Sequence, residues 1–121
     1  MSQITTHVLD TAQGKPAAGV PIRFFAFVDD DWEQIGGGET NADGRLPNLL
    51  EENVVLPAGR YLMAFDTAAY FKKLMHTPGY RGAETCFYPY VDVVFEISGD
   101  GEHYHIPLLL SPYGYSTYRG S

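Results

Sequence analysis

The chain is poor in cysteine, in basic residues and in unbroken apolar runs, and each scarcity removes a class of function. Cys86 is the one cysteine among 121 residues. It cannot close an internal disulfide, a thiolate metal site would need partners the sequence lacks, and it is read as a small buried apolar group. Eight Lys and Arg stand against fifteen Asp and Glu, a formal net charge of −7. Lys15, Arg23, Arg45, Arg60, Lys72, Lys73, Arg81 and Arg119 are scattered, and the Lys72–Lys73 pair suits a solvated helix face. Binding to nucleic acid needs clustered positive charge to neutralise phosphates, so no nucleic-acid partner is expected. No apolar run approaches a membrane span. The first seven residues, Met1 to His7, carry neither a basic nor an apolar export segment, so a cytoplasmic protein with no membrane partner is expected.

What is present is an ordinary core-forming composition, 45% apolar, in a length suited to one domain spanning residues 1–121. A domain of this size hides a modest share of its surface, so association with copies of itself is a ready way to bury more. Alternating, β-branched and aromatic stretches predict strands over 4–10, 20–28, 32–40, 59–66, 91–97, 103–110 and 113–118. Turn chemistry separates them: Gly14-Lys15-Pro16, the acidic tip Asp29-Asp30-Asp31, Asn41-Ala42-Asp43-Gly44, Ser98-Gly99-Asp100-Gly101 and Ser111-Pro112. Gly36-Gly37-Gly38 marks a bulge or a close backbone approach. Arg45 follows its turn directly and is placed on a very short strand. A single helix is predicted over 67–75 with Thr67 as its cap. Eight or so short strands and one helix indicate an all-β antiparallel sandwich.

Residues two apart on a strand share a face, and this parity isolates the candidate chemistry. Tyr104, Ile106, Leu108 and Leu110 suit a core. That leaves His103, His105, Pro107 and Leu109 on the opposite face, and His7 with Leu9 falls likewise on the non-core face of the first strand. A histidine alone is more often structural than catalytic, and His76 reads as a solvated or capping residue. His103 and His105 could together ligate a metal, but no carboxylate or cysteine sits at a telling distance, and a metal-free, cofactor-free site is preferred. Taken alone, Arg45 reads as a surface charge and the ending Tyr118-Arg119-Gly120-Ser121 as a frayed tail.

Three blocks carry a resemblance across nearly the whole chain. Thr5-Thr6-His7-Val8-Leu9-Asp10-Thr11-Ala12 with Gly14-Lys15-Pro16-Ala17 resembles the opening of the transthyretin-like 5-hydroxyisourate hydrolases. Asn41-Ala42-Asp43-Gly44-Arg45 resembles their central motif, and the stretch from His105 to Ser121 resembles their closing block. Transthyretin, a carrier of the same fold, shares the Leu9-Asp10 region and the Ser111 to Thr117 segment, so His7, Arg45, His105 and the Tyr118-Arg119-Gly120-Ser121 ending separate hydrolase from carrier. The resemblance implies a transthyretin-like sandwich of two four-stranded sheets, a homotetramer built as a dimer of dimers, and a channel-facing site. It implies hydrolysis of 5-hydroxyisourate, with water activated by His7 and His105 and the oxyanion met by Arg45. His7, Arg45, Tyr118 and Ser121 are expected to hold the substrate, His103, Ser116 and Arg119 are secondary candidates, and Arg119 is expected to anchor the tail. The competing reading is a carrier or binding module that holds a small ligand without chemistry.

Overall fold

In a computed structural model, which describes residues 2–120, the chain forms eight strands and one helix. They are β1 (Ile4–Asp10), β2 (Lys15–Pro16), β3 (Pro21–Val28), β4 (Asp31–Glu39), β5 (Gly59–Phe65), α1 (Thr67–Met75), β6 (Val91–Ile97), β7 (Tyr104–Ser111) and β8 (Gly114–Thr117). Two four-stranded sheets result, ordered β2-β1-β7-β8 and β4-β3-β5-β6. Strict alternation of apolar and polar positions makes each sheet two-faced, and the apolar faces meet. Ile4, Val8, Phe24, Met63, Phe65 and Leu108 are fully buried between them. Each such side chain contributes about 1.5–3 kcal/mol relative to exposure.

The sandwich is mostly antiparallel, with one departure: β1 and β7, the central pair of the first sheet, run parallel. Parity correctly sorts their faces but carries no information about strand direction, which depends on how the chain between them is routed. The Lys15–Pro16 turn segment closes back on β1 as a two-residue strand, with Pro16 opposite Leu9. Proline is tolerated there because β2 is an edge strand.

The acidic tip of the β3–β4 hairpin holds Asp29 and Asp30 at φ of 50° and 63°, the left-handed pair that a tight hairpin turn demands. The register of β3 against β4 slips between Phe24 and Phe25 beside the triple glycine. A Cβ on Gly36 would stand 2.4 Å from the Leu49 carbonyl oxygen, so this segment is both bulged and closely approached.

The helix spans the expected residues, but its cap is Asp66 and not Thr67: the Asp66 carboxylate accepts the Ala69 N–H at 3.0 Å. Thr67 is fully buried and donates its hydroxyl to the Tyr88 carbonyl, so tertiary packing claims the residue that propensity assigns to the cap. His76 closes the helix, its ring Nδ1 2.7 Å from the Lys72 carbonyl oxygen. Cys86 is half-buried against the core. Among the described residues, no helix is long and apolar enough to cross a membrane.

Candidate active site

The parallel register of β1 and β7 sets Thr5 opposite His105, His7 opposite Pro107 and Leu9 opposite Leu109, all on the face turned away from the core. Tyr104, Ile106 and Leu108 point inward and are buried, so the imidazoles are held by strands that cannot rotate without emptying the core. Their presentation is thus a by-product of burial.

Arg45 reaches this face through the turn that precedes it. The Asn41 side-chain oxygen accepts the N–H groups of Asp43 and Arg45 at 2.9 and 3.1 Å, and the Arg45 carbonyl accepts from the Asn41 N–H at 2.7 Å. Gly44 sits at φ +75° with its carbonyl taking the Val8 N–H at 2.8 Å, and a Cβ there would lie 2.4 Å from the Val8 carbonyl oxygen. Glycine is therefore required for the turn to dock on β1. The docking leaves Arg45 paired with His7 in a single antiparallel bridge, the short strand expected of it reduced to one residue. Leu46, Leu49 and Leu50 follow into the core and pin the loop.

The C-terminal segment completes the arrangement. Pro107 has no N–H to give to a continued β8, and β8 ends at Thr117, whose hydroxyl donates to the Pro107 carbonyl at 2.6 Å. Past that point the chain stays in register with β7, and the Gly120 N–H bonds the His105 carbonyl at 2.8 Å. A Cβ on Gly120 would stand 2.6 Å from His105 Cδ2, so the backbone passes directly along the ring edge. Arg119 lies over the Tyr104 ring at 4.6 Å and 3.6 Å from the Glu102 carboxylate, which ties the tail to the start of β7.

Between these elements opens a cleft of about 560 Å³ lined by Thr5, Thr6, Arg45, Leu46, Pro47, Asn48, His103 and His105. The volume suits a small heterocycle. The His103 and His105 rings lie nearly parallel, 19° apart with centroids 6.4 Å apart, and both contact the Thr5 hydroxyl. Partial burial, then the charge of Arg45, then His103 and His7, hold the His105 imidazole below the usual histidine range, while a hydrogen bond to the Thr5 backbone works weakly the other way. A neutral imidazole beside a permanent cation can take a proton from water while the guanidinium meets developing negative charge.

Of the residues singled out from the sequence, Arg45, His103 and His105 therefore share one cleft, with His7 beside them on the same face. Ser116 lies opposite Leu109 and is exposed. Tyr118 is 59% exposed and lines a second cleft of about 260 Å³ at the sandwich edge, with Val93, Phe95 and Tyr104; His105 borders both clefts. Ser121 lies outside the described residues. Thr5 and Asn48 line the first cleft without having been singled out. Thr5 was within reach of parity, being two residues from His7, whereas nothing local to Asn48 marks it.

The sequence and fold have counterparts. The HIUase/Transthyretin family profile matches residues 4–120. A mouse 5-hydroxyisourate hydrolase is 46% identical over 99% of this chain and 96% of its own length. Among solved structures, Klebsiella pneumoniae 5-hydroxyisourate hydrolase superposes with a TM-score of 0.79 at 33% identity, covering 98% of each chain. A sea bream transthyretin in complex with thyroxine superposes at 0.85 with 34% identity, over 98% of this chain and 95% of the other. Since the profile runs from the first strand to the tail segment that bonds to His105, the chain belongs to the HIUase/Transthyretin family.

Proposed function

We propose that this chain hydrolyses 5-hydroxyisourate, opening its six-membered ring at an amide-like C–N bond to give 2-oxo-4-hydroxy-4-carboxy-5-ureidoimidazoline in urate breakdown. The observation that carries this reading is one cleft in which a half-buried imidazole of lowered proton affinity stands with a guanidinium. Water adds to the ring carbonyl as His105, seconded by His7, takes its proton. Arg45 stabilises the oxyanion, and the proton held by the imidazole passes to the ring nitrogen as the C–N bond breaks, leaving a carboxylate. Tyr118 and Ser121 hold the substrate from the tail.

Overall shape does not separate an enzyme from a carrier, because a hydrolase and a thyroxine-bound transthyretin both superpose closely. The cleft does. A channel that only binds an aromatic ligand gains nothing from desolvating His105 beside Arg45. Assembly into a dimer of dimers would close the β1–β7 face into a channel, burying Leu9 and Leu109, which one chain leaves half-covered.

The test is the ultraviolet decay of 5-hydroxyisourate generated in place from urate, with and without the untagged protein. Acceleration is expected, and His105→Asn should lower turnover about 100-fold or more in a protein that stays folded. Decay at the spontaneous rate would instead favour the carrier.

A further inference from the structure

Among the described residues, the Thr5 side chain is hydrogen-bonded to both imidazoles of the cleft. Its hydroxyl oxygen lies 2.8 Å from His105 Nδ1 and 2.9 Å from His103 Nε2. A hydroxyl has a single proton to donate and two lone pairs to accept with, so the two contacts are not independent of one another. The hydroxyl can donate to at most one of the two rings, so at least one ring presents a protonated nitrogen to it. On the other edge the ring is walled by Gly120, where a Cβ would lie 2.6 Å from Cδ2. Nδ1 and Cδ2 flank the ring's attachment point, so Thr5 and Gly120 grip both sides and a flipped ring would turn Cδ2 toward the hydroxyl.

From this we infer that Thr5 is a positioning residue: it holds His105 as the Nδ1–H tautomer, which leaves Nε2 as the base, and passes its own hydroxyl proton into a hydrogen bond with His103 Nε2. The order is His105 to Thr5 to His103, a base oriented by a second group that is itself oriented by a third. The inference rests on the hydrolase reading and adds to it a reason for the correct nitrogen to be free. Neutral imidazole otherwise divides its proton between two nitrogens, and a base with the wrong tautomer is inert. The other charged or titratable groups that bear on the ring are Arg45 from the loop after β4 and His7 from β1, while His103 is exposed. Arg45 has no acceptor to offer the Nδ1 proton, and the hydrogen bond found at Nδ1 is to Thr5.

The experiment compares the full chain with Thr5→Val, Thr5→Ser and His103→Ala, using ring-nitrogen chemical shifts from 15N-labelled histidine together with steady-state kinetics. The native chain should show His105 protonated at Nδ1 and bare at Nε2. Thr5→Val, nearly isosteric, should move that proton to Nε2 or divide it between the nitrogens, and lower kcat about tenfold with KM within about twofold. Thr5→Ser should restore the native tautomer and most of kcat. His103→Ala removes the hydroxyl's acceptor and should produce a smaller change in the same direction. A native His105 protonated at Nε2, or a tautomer unmoved in Thr5→Val, overturns the inference. Should Thr5→Val not fold, the native tautomer and the His103→Ala shift still decide it. If the native chain shows the expected tautomer but leaves 5-hydroxyisourate decay unaccelerated, the hydrolase reading falls and the ring geometry stands.

Discussion

Gly120 is among the least replaceable residues of the site although it has no side chain. Alanine there would press its methyl into the His105 ring, and moving the backbone away would break the 2.8 Å bond to the His105 carbonyl. Gly120→Ala is expected to lower kcat about tenfold or more with the circular dichroism spectrum unchanged, since misplacing a base costs rate before it costs fold. The ionisation of His105 is similarly local. Burial and the neighbouring charges penalise its imidazolium in the folded state, so the proposed base stays neutral to a lower pH than the ordinary 6.5, and the acid limb of kcat/KM should fall below that value. The sign for stability is the same: the neutral ring's contribution is fully present above the unfolded value of 6.5 and is lost as pH falls from there through the lower folded value. Arg45→Gln removes the largest charge acting on the ring, and nuclear magnetic resonance titration should then find His105 closer to 6.5; an unmoved midpoint would mean that burial and the neighbouring imidazoles set it. Sequence parity had placed His7 and His105 each on the non-core face of its own strand. It could not report that Thr5 touches two rings, because that depends on rotamers and on strand pairing.

Among the elements, the tail and the turn before Arg45 do the positioning. Arg119 is exposed yet engaged twice, over Tyr104 and beside Glu102. The ion pair itself is worth little at such exposure. Arg119→Ala should therefore leave global stability within about 0.5 kcal/mol, increase amide exchange of the tail and lower activity indirectly. Normal turnover in a structurally intact variant would show that the tail needs no such anchor. The Asn41 to Gly44 turn was legible because asparagine and glycine have few other uses at that spacing. The helix cap was misassigned by one residue because Thr67 and Asp66 both qualify chemically, and only the burial of Thr67 against Tyr88 decides between them.

At the scale of the whole molecule, the β1–β7 face is open in a single chain and carries the proposed site. If assembly closes it into a channel, dilution below the association midpoint should reduce specific activity in parallel with the loss of the oligomer by analytical ultracentrifugation, and a C-terminal extension should impair both substrate access and rate. Specific activity independent of concentration would place the complete site within one chain.

The sequence by itself determined the two-faced strands, their turns, the apolar core and the set of polar residues excluded from that core, because side-chain periodicity and turn chemistry act over a few neighbouring residues. Tertiary structure alone decided which of those residues meet. Thr5 and His105 are 100 residues apart and become partners only through the parallel pairing of β1 with β7. Gly120 meets His105 only because the tail keeps the β7–β8 register past Thr117. Periodicity specifies a face, whereas partner, direction and register follow from how two separate faces pack, and packing is a property of the whole chain.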